Sequence, residues 1–209
     1  MKVSGPSRTG LSTRSIALLR TMLKACFVSL LCVTATTASA GLDVTAYTQL
    51  SIVASPKLTT DGEPVSPNEF VLSAGPFPER FSGLSDGKVY TAPGSFEFRA
   101  GSYSGYNNWR NELAKLAGYA PTPVDIGGMT RTRYDATAWK LRQGPFWELI
   151  NFSDSEGVIG PDVCKKVYQD FVAYDDAASR HADPGFRELY ADWEKAFRLC
   201  ADQGAIVFH

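Results

Sequence analysis

Apolar positions along the chain follow two different periods. Over residues 42–54, Leu42, Val44 and Ala46, then Leu50 and Ile52, fall on one side of an alternating pattern, which predicts a strand with one wet face. Residues 70–72, 89–91 and 95–99 are shorter β-prone runs, each fenced by Gly or Pro. Residues 55–68, rich in Pro, Thr, Asp and Gly, read as loop, and residues 205–208 read as a short strand returning to the sheet.

From about residue 102 the period becomes helical. Tyr106, Trp109, Leu113 and Leu116/Ala117 make one stripe of a helix over 104–118, with Ser102 or Ser104 as cap and Gly118 as stop. A second helix opens at Gly160-Pro161-Asp162 and carries Val163, Val167, Phe171 and Tyr174. A third, after Asp183-Pro184-Gly185, carries Phe186, Leu189/Tyr190, Trp193, Phe197 and Cys200 and stops at Gly204. Residues 119–128 read as a connector. Residues 145–152 fit either a short helix or a buried strand. Strands early and helices late predict an α+β domain, its antiparallel strands packed against helices that end in an antiparallel hairpin.

The first 40 residues stand apart. Arg20 and Lys24 precede an 11-residue apolar run at 25–35, and Ala38-Ser39-Ala40 supplies small residues at −3 and −1 of a cleavable bond. That is the pattern of a secretory signal peptide, too short and too rich in Thr for a membrane anchor. Met22 would make a compact start, so residues 1–21 are expected to be a mis-assigned start or a dispensable extension. The expected mature chain is a single domain over 41–209, secreted or periplasmic, with no integral span left after cleavage.

Cleavage changes the charge and the cysteines. The segment holds five basic residues (Lys2, Arg8, Arg14, Arg20, Lys24) and no acidic one, so 16 of 21 basic and all 22 acidic residues remain, a net −6. That balance argues against nucleic acid, whose phosphates need clustered Lys and Arg. Cys26 and Cys32 leave, and Cys164 and Cys200 can pair only with each other. Each lies 18 residues from a turn near residue 182, which places them level in a helical hairpin. An oxidising compartment favours the bond.

Two tracts, 98–118 and 144–160, mix aromatic and polar residues most densely, and both resemble stretches of small bacterial proteins of uncharacterised function. The resemblance names no family and implies no activity.

In the first tract, Gly101-Ser-Tyr-Ser-Gly105 places Tyr103 where a nucleophile elbow needs Ser. The two mature histidines, His181 at the hairpin tip and His209, offer no general base beside it. Tyr103, Tyr106 and Trp109 with Arg99 and Arg110 could form an aromatic binding platform, while the same aromatics also supply the helix stripe. In the second tract, Asp154 and Glu156 do not fit the calcium loop, because Phe152 falls where its first ligand would be. No zinc pattern is present, and no metal or cofactor is expected. Asp154, Ser155 and Glu156 read as a polar turn bound to nearby backbone amides. Glu148 sits among Phe146, Trp147, Leu149 and Ile150. It could be a structural carboxylate, or a general acid paired with Asp154 or Glu156 for glycosidic cleavage.

The chain is therefore expected to be an exported, non-catalytic binding protein acting on an envelope or extracellular partner, protein or polymer, in the manner of an inhibitor or immunity protein. A glycan-cleaving hydrolase built on Glu148 is the alternative, and a structural envelope component the third reading.

Overall fold

A computed structural model describes residues 41–209; the expected signal peptide, with Cys26 and Cys32, lies outside the described residues. The alternating stripe becomes β1 (Leu42–Thr48), with Leu42, Val44 and Ala46 in the core. Period-2 alternation then turns Asp43, Thr45 and Tyr47 to the opposite face. On one side β1 pairs antiparallel with β5 (Gly94–Gly101), on the other with β9 (Ala205–Phe208). β9 in turn carries β8 (Gly157–Ile159), so the strand order is β5-β1-β9-β8.

The strand predicted to run to residue 54 stops at Thr48. Gln49 takes a left-handed conformation (φ 50°), and its amide donates to the Asp202 carbonyl at 2.8 Å. The side-chain amide of Gln49 and the Thr48 hydroxyl both donate to the Asp202 carboxylate. This anchor turns the chain out of the first sheet. β2 (Ser51–Ile52) instead joins β4 (Lys88–Thr91) and β3 (Glu69–Leu72) in a second sheet, order β2-β4-β3. Ile52, expected on the buried side, is consequently 53% exposed.

The helices stand largely where their stripes place them. α1 (Tyr103–Leu116) is capped by Ser102, whose hydroxyl accepts from the Gly105 amide at 3.1 Å, and Gly118 follows its end with φ +82°. One expectation needs correction. The presumed connector is a β-hairpin of β6 (Thr122–Ile126) and β7 (Met129–Arg133), turning at Gly127-Gly128, where both φ angles are positive (62° and 78°). Such a two-residue turn suits glycine at both positions. A short helix, α2 (Asp135–Leu141), follows it, and the ambiguous run at 145–152 resolves as the single helical turn α3 (Trp147–Ile150).

α4 (Pro161–Ser179) and α5 (Pro184–Ala201) form the expected antiparallel hairpin, with Cys164 and Cys200 disulfide-bonded and their Cα atoms 5.7 Å apart. Closing a loop of 36 residues contributes about 4 kcal/mol in the chain-entropy account. Among the described residues, no helix is long and apolar enough to cross a membrane.

The main core lies between the inner face of the four-stranded sheet and the helices. Trp193 of α5 is fully buried, edge-on to Phe98 at 5.0 Å and ring-to-ring with Tyr106, Trp109, Phe197 and Phe208. Gly204 lets α5 return to the sheet: a Cβ there would stand 1.9 Å from the Tyr47 carbonyl oxygen.

The outer face of that sheet is treated unevenly. Leu72 and Tyr90 of the second sheet, with Phe81, pack onto Val158 of β8 and Ala205 of β9. Only the β9–β8 half is covered in this way. The outward residues of β1 and β5 are left beside the rim of the smaller sheet.

Candidate functional site

The two aromatic–polar tracts meet. Arg110 leaves the buried side of α1, 3% exposed, and its Nη1 donates to the carbonyl oxygens of Phe152 (2.6 Å) and Ile150 (3.4 Å). Its guanidinium lies 4.6 Å over the Tyr106 ring, donates to the Asn107 side-chain oxygen, and stands 3.9 Å from the Asp154 carboxylate. Asn107 Nδ2 donates to the same carboxylate at 3.2 Å. Buried carbonyls need donors, and a guanidinium supplies several in one plane. This junction clamps α1 to the segment after α3.

The residues considered as a platform are not gathered into one. Tyr106, Trp109 and Arg110 are interior, and Trp109 Nε1 donates to the Phe186 carbonyl at 3.3 Å. Burial pushes the Tyr106 hydroxyl well above the usual tyrosine range; the Arg110 charge opposes this and Asp154 adds to it. Tyr103 stays at the surface of the first turn of α1, 40% exposed. Arg99 lies elsewhere, on the outer face of β5, 3.7 Å from Asp43.

Two of the three carboxylates considered for catalysis, Glu148 and Asp154, are held by different groups. Glu148 of α3 sits 2.6 Å from Lys166 Nζ, which also pairs with Asp170 at 2.8 Å and donates to the Gly144 carbonyl. Asp154 is engaged with Arg110 and Asn107. The 153–156 turn is indeed polar, but its backbone amides are not bound by the carboxylates. The Ser153 hydroxyl accepts from Ser155 (3.2 Å) and Glu156 (3.0 Å), as a short side chain able to fold back on its own turn. No three His, Cys, Asp or Glu side chains among the described residues are grouped to hold a metal ion.

A different constellation forms on the uncovered half of the outer sheet face. Antiparallel register pairs Asp43 with Arg99, Thr45 with Glu97 and Tyr47 with Ser95, so six polar or amphipathic side chains share one surface. A cavity of about 580 Å³ opens over them, lined by Asp43, Thr45, Tyr47, Glu97 and His209 among others. The His209 ring is 2.9 Å from the Thr45 hydroxyl, and its amide donates to the Asp43 carbonyl.

A second cavity, about 340 Å³, adjoins at the far end of β1, between Tyr47 and Ser95 and the Pro67, Asn68 and Phe70 rim of the smaller sheet. Tyr47 lines both, its ring stacked on Phe70 at 4.4 Å and 23°. Burial raises the Tyr47 pKa and the neighbouring Glu97 charge adds to the rise, so its hydroxyl stays protonated and can donate. The trough thus offers aromatic surface, two exposed carboxylate acceptors, an imidazole and the exposed Ser95 hydroxyl, with the Arg99–Asp43 pair at its end; the Thr45 hydroxyl is buried beside His209.

Of these trough residues only Arg99 stood among the sequence candidates. The available signal was the wet face of each strand, Asp43/Thr45/Tyr47 and Ser95/Glu97/Arg99. Alternation alone does not say which wet face is later roofed and which stays open. Comparison with protein-family models, with curated proteins and with solved structures found no match for this chain.

Proposed function

We propose that this is an exported, non-catalytic binding protein whose partner belongs to the envelope or the extracellular space. Export rests on the basic, apolar and small-residue pattern of the first 40 residues. The observation that carries binding is the half-roofed sheet face, where hydrogen-bonding groups of both kinds surround a stacked aromatic pair in a concave trough. The non-catalytic part draws support from the ties on Glu148 and Asp154: the first is paired with Lys166 and the second with Arg110. Glycosidic cleavage needs two carboxyl groups flanking one bond.

The test is co-sedimentation of the exported, purified protein with isolated cell envelopes. Wild type is expected in the pellet, and Ser95→Arg combined with Glu97→Arg, which fill and recharge the trough, in the supernatant. Equal partition of the two proteins would overturn the reading. So would release of reducing sugar ends that disappears in Glu148→Gln.

A further inference from the structure

We infer that the occupant of the trough is an uncharged polysaccharide strand. The inference rests on the binding reading above and names the chemistry of that same site. Three features carry it.

The first is shape. Asp43 to Tyr47 spans roughly 14 Å of strand at about 3.4 Å per residue, and the second cavity continues past Tyr47. An open trough of this length suits an extended chain better than a compact metabolite.

The second is the pairing of faces with rims. A pyranose ring presents an apolar C–H face and a girdle of hydroxyls. Tyr47 and Phe70, with Pro67 and Pro93 alongside, present flat apolar surface, while Asp43 and Glu97 accept, Asn68 donates, and Ser95 does either. A protein partner would instead need a large apolar anchor at the centre of the patch. The exposed large apolar side chains, among them Val65 and Val71 beside the rim, Ile126 and Met129 on the β6–β7 tip and Trp139 and Leu141 on α2, line neither cavity.

The third is charge. Two carboxylates face a single guanidinium that is already paired with one of them, so the trough disfavours a polyanion, while the uncharged hydroxyls of a neutral glycan accept and donate freely.

Titration calorimetry decides it, with the exported protein and hexasaccharides of fixed composition. The uncharged panel is β-1,4-linked N-acetylglucosamine, β-1,4-glucose, α-1,4-glucose and α-1,6-mannose; hexagalacturonate is the anionic arm. At least one uncharged hexamer is expected to bind and hexagalacturonate not to. Glu97→Gln should weaken that binding about tenfold, the value of losing one charge-assisted hydrogen bond. Tyr47→Ala should abolish it, and Ile126→Ser with Met129→Ser should leave it unchanged. Should Tyr47→Ala fail to fold, Ser95→Arg blocks the trough from an exposed position and carries the same expectation. Binding of none of the uncharged hexamers, binding of hexagalacturonate as strongly, or insensitivity to the Glu97 and Ser95 variants would overturn the inference. If the hexamers fail while envelope co-sedimentation still depends on Ser95 and Glu97, the glycan is wrong and the binding reading stands.

Discussion

The junction around Arg110 and the trough around Arg99 are built from the same residue types and do opposite things. Each has an arginine, a tyrosine, an aspartate and an amide or hydroxyl partner. In the junction, Arg110 is spent on two backbone carbonyls, an amide and a carboxylate, with Tyr106 sealed beneath it. In the trough, Arg99 stands 3.7 Å from Asp43 with both side chains about half exposed, and Tyr47 lines both open cavities. Residue type does not separate a scaffold from a site. What separates them is burial: Arg110 is 3% exposed and bonded to the carbonyls of another segment, whereas the Arg99 and Asp43 side chains are 45% and 58% exposed.

The largest contrast should come from the two arginines. Arg110→Ala leaves Phe152 and Ile150 carbonyls without their donor and strips Asp154 of its cation, a loss of about 3–5 kcal/mol. Arg99→Ala, at an exposed pair, should move stability by less than about 0.5 kcal/mol. Urea unfolding of the two variants measures this directly, and similar losses would erase the distinction. Next in size, replacing Cys164 and Cys200 together by Ala should cost about 2–4 kcal/mol while leaving envelope co-sedimentation intact, because the bond braces the hairpin away from the trough. Thiol titration of the denatured, unreduced exported protein should accordingly find no free thiol.

Glu97→Gln should divide the other way, lowering co-sedimentation while its melting curve overlays that of wild type. The smallest effect concerns the roof. The Asp86 carboxylate, between β3 and β4, accepts from the Ala74 amide at 2.8 Å, and that hydrogen bond, with Ser73 and Gly87 adding to it, holds its pKa below the usual range. A depressed folded pKa means a stabilisation present above the unfolded value of about 3.9 and lost as pH falls through the folded one. Melting temperature against pH should therefore fall less steeply through the acid range in Asp86→Asn than in wild type. A steeper fall in the variant would reverse the assignment.

Much of the frame was legible in the residues. The α4–α5 hairpin and its disulfide follow from 3.6-residue stripes and from two cysteines equidistant from a Pro-Gly turn. β1, the smaller strands and the Ser102 cap follow equally from local pattern. The kink at Gln49 was hidden because its cause, the hold of Asp202, is 153 residues away. The β6–β7 hairpin did carry its signal in Gly127-Gly128, masked by Pro123 in β6 and by a β7 whose only apolar residue, Met129, is followed by alternating Thr and Arg.

The candidate site was least legible. The aromatic–polar tracts drew attention because their composition resembles a binding surface, yet Arg110 becomes structural only once Phe152, 42 residues on, lends its carbonyl. The trough needs the pairing of Asp43 with Arg99, and a second sheet that stops half-way across. Neither fact is local.

Hydrogen exchange with and without isolated envelopes bears most directly on the claim that function lies on the half-roofed face. Bound protein should gain protection on the edge strand at 94–99 and in the rim loop at 66–68, with no change at the 126–131 ribbon tip. Protection confined to 126–131, or spread over neither region, would contradict it.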